Sequence, residues 1–523
     1  MMQWITNRTH AERLALACTA VCTVAVWLLI PSLDHPVGSD WAQYFTVAEI
    51  IWYQDPHLYP PFRKPLFGLI LGGLGEPMGY LNAAQLLGRA SACLIVISAA
   101  LGAWALVGPL AAAGAAVIAT LMPLVVDGGL WVNNYPLLSA STSVAIAAGA
   151  ALARRPHPAW AALCGIASGL AIGLDVRGLA VVPTVSVLVL ISLHATAWRR
   201  RLLVIGLMSA PLVSLLAYDA WLTQTHNIPQ FSLESQSQRQ RQTVLEPIAR
   251  GQYVSHPELA AACTNLTPAP PWQQALDLTD GSCASALRAY STAPLRERRV
   301  VPGVLTLAVF VLALVPMGWR SRAGPLKSVL ASAAVLGLPG LWTVAGMGWI
   351  FYFDRYLMPF SAVLAMGIPV ALGRVATLLP HPSARWLALA TSLTWGATIW
   401  PGHDAHGLHT PQTSVPADRA AGVMAQWAKT HLGPKDRIFD CGGLAFDYLL
   451  LPRQIAYVRH PPGDTSCDPL IRSPGHTDGR HYLVTPVLPG QAGLSTDPHR
   501  IQALGWTPIH APAGLDNYRV WTQ

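Results

Sequence analysis

The sequence is short of charged residues. Asp, Glu, Lys and Arg make up 11% of its 523 residues, whereas a typical soluble domain carries about 25%. Hydrophobic residues make up 52%, in runs long enough to cross a bilayer, such as LALACTAVCTVAVWLLI near the N-terminus. This composition excludes an ordinary soluble protein and predicts a polytopic α-helical membrane protein.

Signals for nucleic acid, nucleotide or metal binding are also scarce. The net charge of +8 is small for this length, and excess Lys and Arg in a membrane protein is explained first by topology. Gly442-Gly443 follows a predicted strand without the rest of a dinucleotide fingerprint, so a tight turn explains it. His403, His406 and His409 could bind a transition metal, but we interpret them as a polar linker. No cofactor is predicted.

Eleven apolar segments are candidate membrane spans. Their approximate limits are 12–31, 85–107, 109–126, 135–153, 158–174, 178–197, 202–222, 300–318, 327–347, 355–374 and 385–401. The first shows no small-residue cleavage site before Pro31, so we expect a retained signal anchor. The segment 64–75 is apolar but short, and we expect it to be re-entrant or interfacial.

Basic residues predict the orientation. With the N-terminus in the cytoplasm, four successive inner connections carry Arg154-Arg155, Arg199 to Arg201, Arg320 to Lys327, and Arg374 with Arg385. This agrees with the positive-inside rule each time, and the opposite orientation violates it each time. We therefore expect a multi-pass protein of the inner or plasma membrane. Its outer regions are then 32–84, 127–134, 223–299 and 402–523.

The last outer region is predicted to be a small extracytoplasmic α/β domain, after a transmembrane domain over 1–401. A Pro-started helix is expected near 416–432, followed by strands at RIFDC, QIAYVRH, HYLVTPV and YRVWT. Four cysteines lie in the two large outer segments, two in each: Cys263, Cys283, Cys441 and Cys467. This distribution predicts the disulfides Cys263–Cys283 and Cys441–Cys467 in an oxidising compartment, with four reduced thiols as the alternative.

Polar side chains collect at the outer ends of the spans. They are Asp40, Arg63 and Lys64 in the first outer loop, Asp127, Asn133 and Asn134 in the second, Asp175 and Arg177 after span five, and Asp354 and Arg355 at span ten. Charges at such positions are costly and often functional, so we expect a substrate site at this membrane face. Local or interspan ion pairing is the alternative for the last two pairs.

The first outer loop carries the candidate chemistry. Residues 41–54 place aromatic and aliphatic side chains on one helical face, which predicts an amphipathic helix in the membrane interface. Asp40 precedes it and could accept a proton from a hydroxyl, or could simply cap the helix with Gln43 as a box-like partner. Arg63 and Lys64 could bind a phosphate, or could snorkel to the interface.

Four stretches resemble a known family. GSDWAQY, YPPFRKPLFG, WVNNYPLLSASTSVAIAAGAAL and DRYLMPFSAVLAMGI resemble segments of GT-C glycosyltransferases, in the branch with protein O-mannosyltransferases and the lipid A aminoarabinose transferase. The resemblance covers about residues 12–375. It implies a lipid-linked polyprenyl-phosphate sugar donor and transfer to a glycan, lipid or protein hydroxyl at the extracytoplasmic face, usually with inversion.

The resemblance also implies roles for individual residues. Asp40 matches the family's first-loop catalytic carboxylate, Lys64 its Lys before Pro at the donor phosphate, and Arg355-Tyr356 its Arg-Tyr pair at the lipid phosphate. Arg177 stands where relatives often have a Lys. Trp41 replaces the second acid of the usual pair, which leaves the acceptor type open.

Two other functions fit the composition. A lipid-linked substrate transporter or flippase should carry its charges near the midplane on broken helices with internal repeats, whereas these charges collect at one face. A non-catalytic envelope-assembly scaffold would use the C-terminal region for binding, and it should keep its partner when Asp40 is lost.

Overall fold

A computed structural model describes residues 9–32, 44, 48, 65–193, 198–225, 330–337, 358–378, 381, 383–399, 423–424, 426–428, 430–433, 435–441, 456–459, 471–472, 479–486, 497–510, 515 and 518–523. The N-terminal part is helical. Its helices are α1 (His10–Leu29), α2 (Pro65–Met78), α3 (Tyr80–Leu106), α4 (Pro109–Leu121), α5 (Pro123–Val126), α6 (Tyr135–Arg154), α7 (Pro158–Leu174), α8 (Val181–Leu193), α9 (Trp198–Thr225), α10 (Ser361–Leu378) and α11 (Ser383–Ile399).

The helices confirm a polytopic membrane protein. Within the described ranges, five helical segments are long and apolar enough to cross a bilayer: His10–Leu29, Tyr80–Leu106, Tyr135–Arg154, Trp198–Leu222 and Met358–Ala376. Every predicted span that falls on described residues is helical over most of its length. The predicted span 300–318 and most of 327–347 lie outside the described residues.

The third predicted span is not one continuous helix. It breaks at Met122, and its two parts, Pro109–Leu121 and Pro123–Leu130, meet at 66°. Pro123 lacks an amide hydrogen and disfavours helical geometry in the residue before it, and Met122 is extended, with φ −77° and ψ 122°. The break turns the chain back into the bundle before α6 begins.

Small side chains form the centre of the bundle. Ala92, Ala99 and Ala103 of α3 are at most 1% exposed, and α3 packs between α4 and α6. Gly165 of α7 lies against the backbone of Met208 in α9, where a Cβ atom would come within 2.1 Å of the Met208 carbonyl oxygen. Small residues let membrane helices approach closely without a hydrophobic driving force.

Two arginines of the predicted inner connections bind the C-terminal end of α3. Arg154 donates a hydrogen bond to the carbonyl oxygen of Trp104, and Arg374 donates one to that of Leu106. Arg374 also donates to the Ser332 hydroxyl at 3.3 Å. The last carbonyls of a helix lack intrahelical partners and carry partial negative charge, so guanidinium groups stabilise them.

The C-terminal region contains a five-stranded sheet in the order β2-β1-β3-β5-β4. Its strands are β1 (Arg437–Asp440), β2 (Ala456–Arg459), β3 (His481–Pro486), β4 (Thr507–Ile509) and β5 (Tyr518–Thr522), and helix α12 (Pro498–Ala503) precedes β4. β1 pairs in parallel with β2 and β3, while β5 pairs antiparallel with β3 and β4. The four predicted strands are present; β4 and α12 were not predicted.

The predicted cysteine pairs stay predictions. Cys441 follows β1 and is 1% exposed, in a core with Trp506 and Trp521. Cys263, Cys283 and Cys467 lie outside the described residues.

Candidate functional site

The structure describes half of the predicted site residues. Asp40, Arg63, Lys64, Arg355 and Tyr356 lie outside the described part of the chain. Asp127, Asn133, Asn134, Asp175 and Arg177 lie within it. The described set is enough to show how the predicted outer connections meet.

The second predicted outer loop is a buried turn. Every residue from 122 to 136 is buried, including Asp127 at 3% exposure, Asn133 at 3% and Asn134 at 2%. This predicted outer connection is therefore covered by the protein. The bend at Met122 directs this segment into the bundle, where α3 packs against the turn Gly128–Leu130.

Glycines make room for this turn inside the helix bundle. A Cβ atom on Gly88 of α3 would lie 2.1 Å from the carbonyl oxygen of Gly129. On Gly128 it would lie 2.4 Å from the terminal methyl of Met358, and on Gly129 it would lie 2.5 Å from Ile30. Real Cβ atoms do not approach this closely, so a side chain at Gly88 would displace the backbone of the turn, whereas at Gly128 and Gly129 the ends of the Met358 and Ile30 side chains would have to move.

Asn134 is the centre of a hydrogen-bonded cluster. Its side-chain oxygen accepts from the Tyr44 hydroxyl at 2.6 Å. Its amide nitrogen donates to the carbonyl oxygen of Leu174 at 3.0 Å and to Oδ2 of Asp175 at 3.3 Å. One side chain therefore joins the first outer segment, the start of α6 and the end of α7.

Asp175 and Arg177 continue the cluster. Oδ1 of Asp175 accepts from the Arg177 backbone amide at 2.9 Å and so caps the 3-10 turn Val176–Ala180. Nη1 of Arg177 lies 3.6 Å from Oδ2 of Asp175 and donates to the Tyr135 hydroxyl. The guanidinium also lies 5.2 Å from the centre of the Tyr135 ring, a cation–π arrangement. We call Tyr44, Asn134, Tyr135, Asp175 and Arg177 the outer junction.

The outer junction is closed and mostly dry. Tyr44, Asn134 and Tyr135 are 1–2% exposed, whereas the Arg177 side chain retains 20% exposure and that of Asp175 14%. Carboxylate and guanidinium offset each other's charge, which lowers the cost of burying both. The junction therefore holds a cation at a fixed place with part of its surface accessible.

Two other predicted residues lie in the buried turn that leads to this cluster. The Asn133 side chain accepts from the Tyr135 backbone amide at 3.0 Å and so caps the start of α6. Asp127 lies earlier in the same buried turn. Among the described residues, no group of three His, Cys, Asp or Glu side chains is arranged to hold a metal ion.

Tyr44 and Ala48 are the two described residues of the amphipathic helix predicted over 41–54. Both are helical and fully buried, in a cluster with Leu66, Phe67 and Tyr80. The Tyr44 ring meets Phe67 edge to face, with centroids 5.2 Å apart. At these two positions the apolar face is covered by protein, because α2 packs over it instead of leaving it to lipid.

Two charged residues were missed by the sequence reading. Arg89 in α3 donates to the carbonyl oxygen of Ile30 at 3.2 and 3.0 Å and to the Ser32 hydroxyl at 2.9 Å, which fixes the chain where it leaves α1. Asp219 is 5% exposed near the C-terminal end of α9. The signal for both was a charge inside an apolar run, which is costly in a membrane helix.

A comparison with solved structures finds similar chains. The oligosaccharyltransferase of Archaeoglobus fulgidus in its apo form is 13% identical over 90% of this chain and 69% of that chain, with a TM-score of 0.52. ArnT from Cupriavidus metallidurans in the apo state is 14% identical over 97% of both chains (TM-score 0.47). The arabinofuranosyltransferase AftD from Mycobacteria is 15% identical over 98% of this chain and 41% of that chain (TM-score 0.47).

No protein-family model matches the chain, and the comparison with curated proteins finds no match. The similarity to the archaeal oligosaccharyltransferase shows a shared fold. The fold expected from the sequence motifs is therefore confirmed, and at this level of identity the similarity says nothing about activity or substrate.

Proposed function

We propose that this chain is a membrane glycosyltransferase of the GT-C type that uses a polyprenyl-phosphate sugar. It transfers the sugar to a hydroxyl at the extracytoplasmic face, with inversion and with Asp40 as the general base. The observation that carries the proposal is the outer junction, where three predicted outer connections meet through Asn134. Fixed polar groups at this end of the helices support the proposal, because a lipid headgroup would lie there under the predicted topology.

The negatively charged phosphate of the proposed donor explains why cationic side chains would be needed at this site. A lipid-linked phosphate keeps its charge at headgroup depth, and cations fixed at that depth stabilise the negative charge that develops as the phosphate leaves. Arg177 fits this task because Asp175 and Tyr135 orient its guanidinium and leave it partly exposed. Arg63, Lys64, Arg355 and Tyr356 are proposed to complete the phosphate site.

The reaction needs one base and no redox step. The acceptor oxygen attacks the anomeric carbon, the bond from that carbon to the phosphate oxygen breaks, and polyprenyl phosphate leaves. The proton of the acceptor hydroxyl passes to the Asp40 carboxylate. Asp127, Asn133, Asn134 and Asp175 are proposed to shape the acceptor side, with Asn134 and Asp175 acting from inside the protein, where their hydrogen bonds lie.

The proposed setting follows from the predicted topology. The N-terminus lies in the cytoplasm, and the C-terminal sheet lies outside. Fixed cations at the outer end then meet donor lipids in the outer leaflet, and a hydroxyl on a glycan, lipid or protein approaches from the aqueous side.

Transfer can be tested with the purified full chain in vesicles that contain polyprenyl-phosphate sugars. Asp40→Asn should abolish transfer and leave donor binding nearly unchanged, while Lys64→Ala should weaken donor binding. Glu76→Gln is a matched control, because Glu76 is an exposed carboxylate of α2. Full turnover in Asp40→Asn would reject the base assignment. Absence of transfer by the unmodified chain with every donor tried would reject the proposed function.

A further inference from the structure

We infer that Tyr44 and Asn134 are positioning residues that hold the first outer segment, and with it Asp40, against the helix ends. This inference rests on the proposed function, because it gives the two residues a task only if Asp40 takes part in the reaction. Neither residue is assigned to the chemistry, since both are buried and make their hydrogen bonds within the protein.

The bonds fix the orientation of the Asn134 amide. Its oxygen faces a hydroxyl donor at 2.6 Å, and its nitrogen faces two acceptors, Leu174 O at 3.0 Å and Asp175 Oδ2 at 3.3 Å. A flipped amide would place its oxygen against both acceptors and its nitrogen against the Tyr44 hydroxyl. Asn is therefore better suited here than Asp, Leu or Ser, because only an amide supplies an acceptor on one side and two donors on the other.

The anchor points bracket Asp40 along the chain. Arg89 holds Ile30 and Ser32 at the end of α1, and Asn134 holds Tyr44, four residues after Asp40. Four residues span at most about 14 Å, so fixing Tyr44 limits how far the carboxylate can move. Placement matters because a shift of about 1 Å in a reacting group costs up to about 100-fold in rate.

The Tyr44 ring and hydroxyl have separable tasks. The ring packs edge to face on Phe67 in an apolar cluster, and this contact does not need the hydroxyl. Tyr44→Phe keeps the ring and removes the hydroxyl that donates to Asn134. Asn134→Asp keeps the size and the acceptor for Tyr44, but replaces the amide donor by an oxygen beside Asp175.

The experiment compares Tyr44→Phe, Asn134→Asp and the double variant with the unmodified full chain in lipid vesicles. We expect kcat to fall about 10- to 100-fold in each single variant with the donor KM nearly unchanged, as for a misplaced base. The double variant should lose little more than the worse single variant, because the two residues act as one unit. Tyr218→Phe is the matched control, since Tyr218 lies on α9 with 38% exposure.

A second readout does not depend on turnover. Hydrogen exchange of the segment 33–43 should become faster in Tyr44→Phe and stay unchanged in Tyr218→Phe. Unchanged exchange together with unchanged kcat in Tyr44→Phe would overturn the inference. A loss of kcat would also overturn it if the melting temperature fell so far that the fraction of unfolded protein accounted for the whole loss. If the unmodified chain transfers no sugar, the proposed function fails, whereas exchange still reports whether Tyr44 holds the segment.

Discussion

Gly88 and Gly129 bring two backbones into direct contact at the predicted outer end of the bundle. A Cβ atom on Gly88 would lie 2.1 Å from the carbonyl oxygen of Gly129. The contact lies where α3 supports the buried turn that leads to Asn133 and Asn134. The position of the outer junction therefore depends on the absence of a single methyl group two turns into α3.

Gly88→Ala tests this contact. The new methyl group must push the turn away, and such overpacking costs about 1–3 kcal/mol in the free energy of unfolding. We expect a lower melting temperature in detergent, and lower transfer activity because the junction moves.

Gly206→Ala is the control for this prediction. Gly206 lies in α9, and a Cβ atom there would meet nothing within 4 Å. In a helix, Ala is favoured over Gly by up to about 1 kcal/mol, so this variant should be neutral or slightly stabilised. Equal melting temperatures for the two variants would contradict the close contact at Gly88.

Arg177→Lys tests the proposed donor site. Lys keeps the charge but cannot form the planar fork or stack on the Tyr135 ring as Arg177 does. We expect the donor KM to rise about tenfold, equivalent to one lost charge-assisted hydrogen bond, with a smaller change in kcat. Steady-state kinetics at varied donor concentration measures both quantities.

Arg199→Lys is the matched control, because Arg199 also lies over an aromatic ring, 5.6 Å from the centre of Trp198. Arg199 belongs to the predicted inner connections, away from the outer junction. A donor KM that changes equally in the two variants would point to a general effect of surface charge and remove Arg177 from the donor site.

His481 predicts how the C-terminal sheet responds to pH. Burial, and then the positive charge of Arg437, lower the pKa of His481 below its ordinary value. The unfolded chain takes up a proton near pH 6.5, whereas the folded sheet resists protonation. The free energy of unfolding of the sheet is therefore unaffected by His481 above about pH 6.5. It decreases as the pH falls from there towards the pKa of His481 in the folded state, because only the unfolded chain takes up the proton.

His481→Gln should remove much of this pH dependence. Hydrogen exchange of β3 at about pH 7.5 and about pH 5 measures it in the full chain once each rate is divided by the intrinsic rate of an unprotected amide at that pH, and the unmodified protein should show less protection at the lower pH. His510→Gln, a change at an exposed histidine, should keep the unmodified behaviour. If all three proteins respond alike, His481 does not control the stability of the sheet.

The sequence predicted features that depend on composition and neighbouring residues. Apolar runs located the helices because crossing a bilayer needs a long apolar segment. Alternation and β-branched residues located four strands of the sheet, whereas β4, which is three residues long and contains Pro508, carried too weak a pattern. The break at Met122 was missed within the predicted span 109–126, although Pro123 is a local signal for it.

The missed features depend on contacts between distant residues. Tyr44 and Asn134 are 90 positions apart, and no local pattern indicates that one hydroxyl and one amide will meet. The burial of the turn 127–134 depends on glycines in α3 and in the turn itself, which meet only in the folded chain. Asn133 and Asn134 were predicted together as site residues, but their separate tasks, capping α6 and joining the outer segments, required coordinates.

The arginines at the end of α3 give the molecule one further property. Arg154 and Arg374 lie at the predicted cytoplasmic ends of α6 and α10, and they bind the carbonyls of Trp104 and Leu106. If the predicted orientation holds, the same guanidinium groups contribute to the positive-inside signal and to the folded state. Replacing either with an uncharged residue would then weaken the topology signal and leave a helix end without its partner.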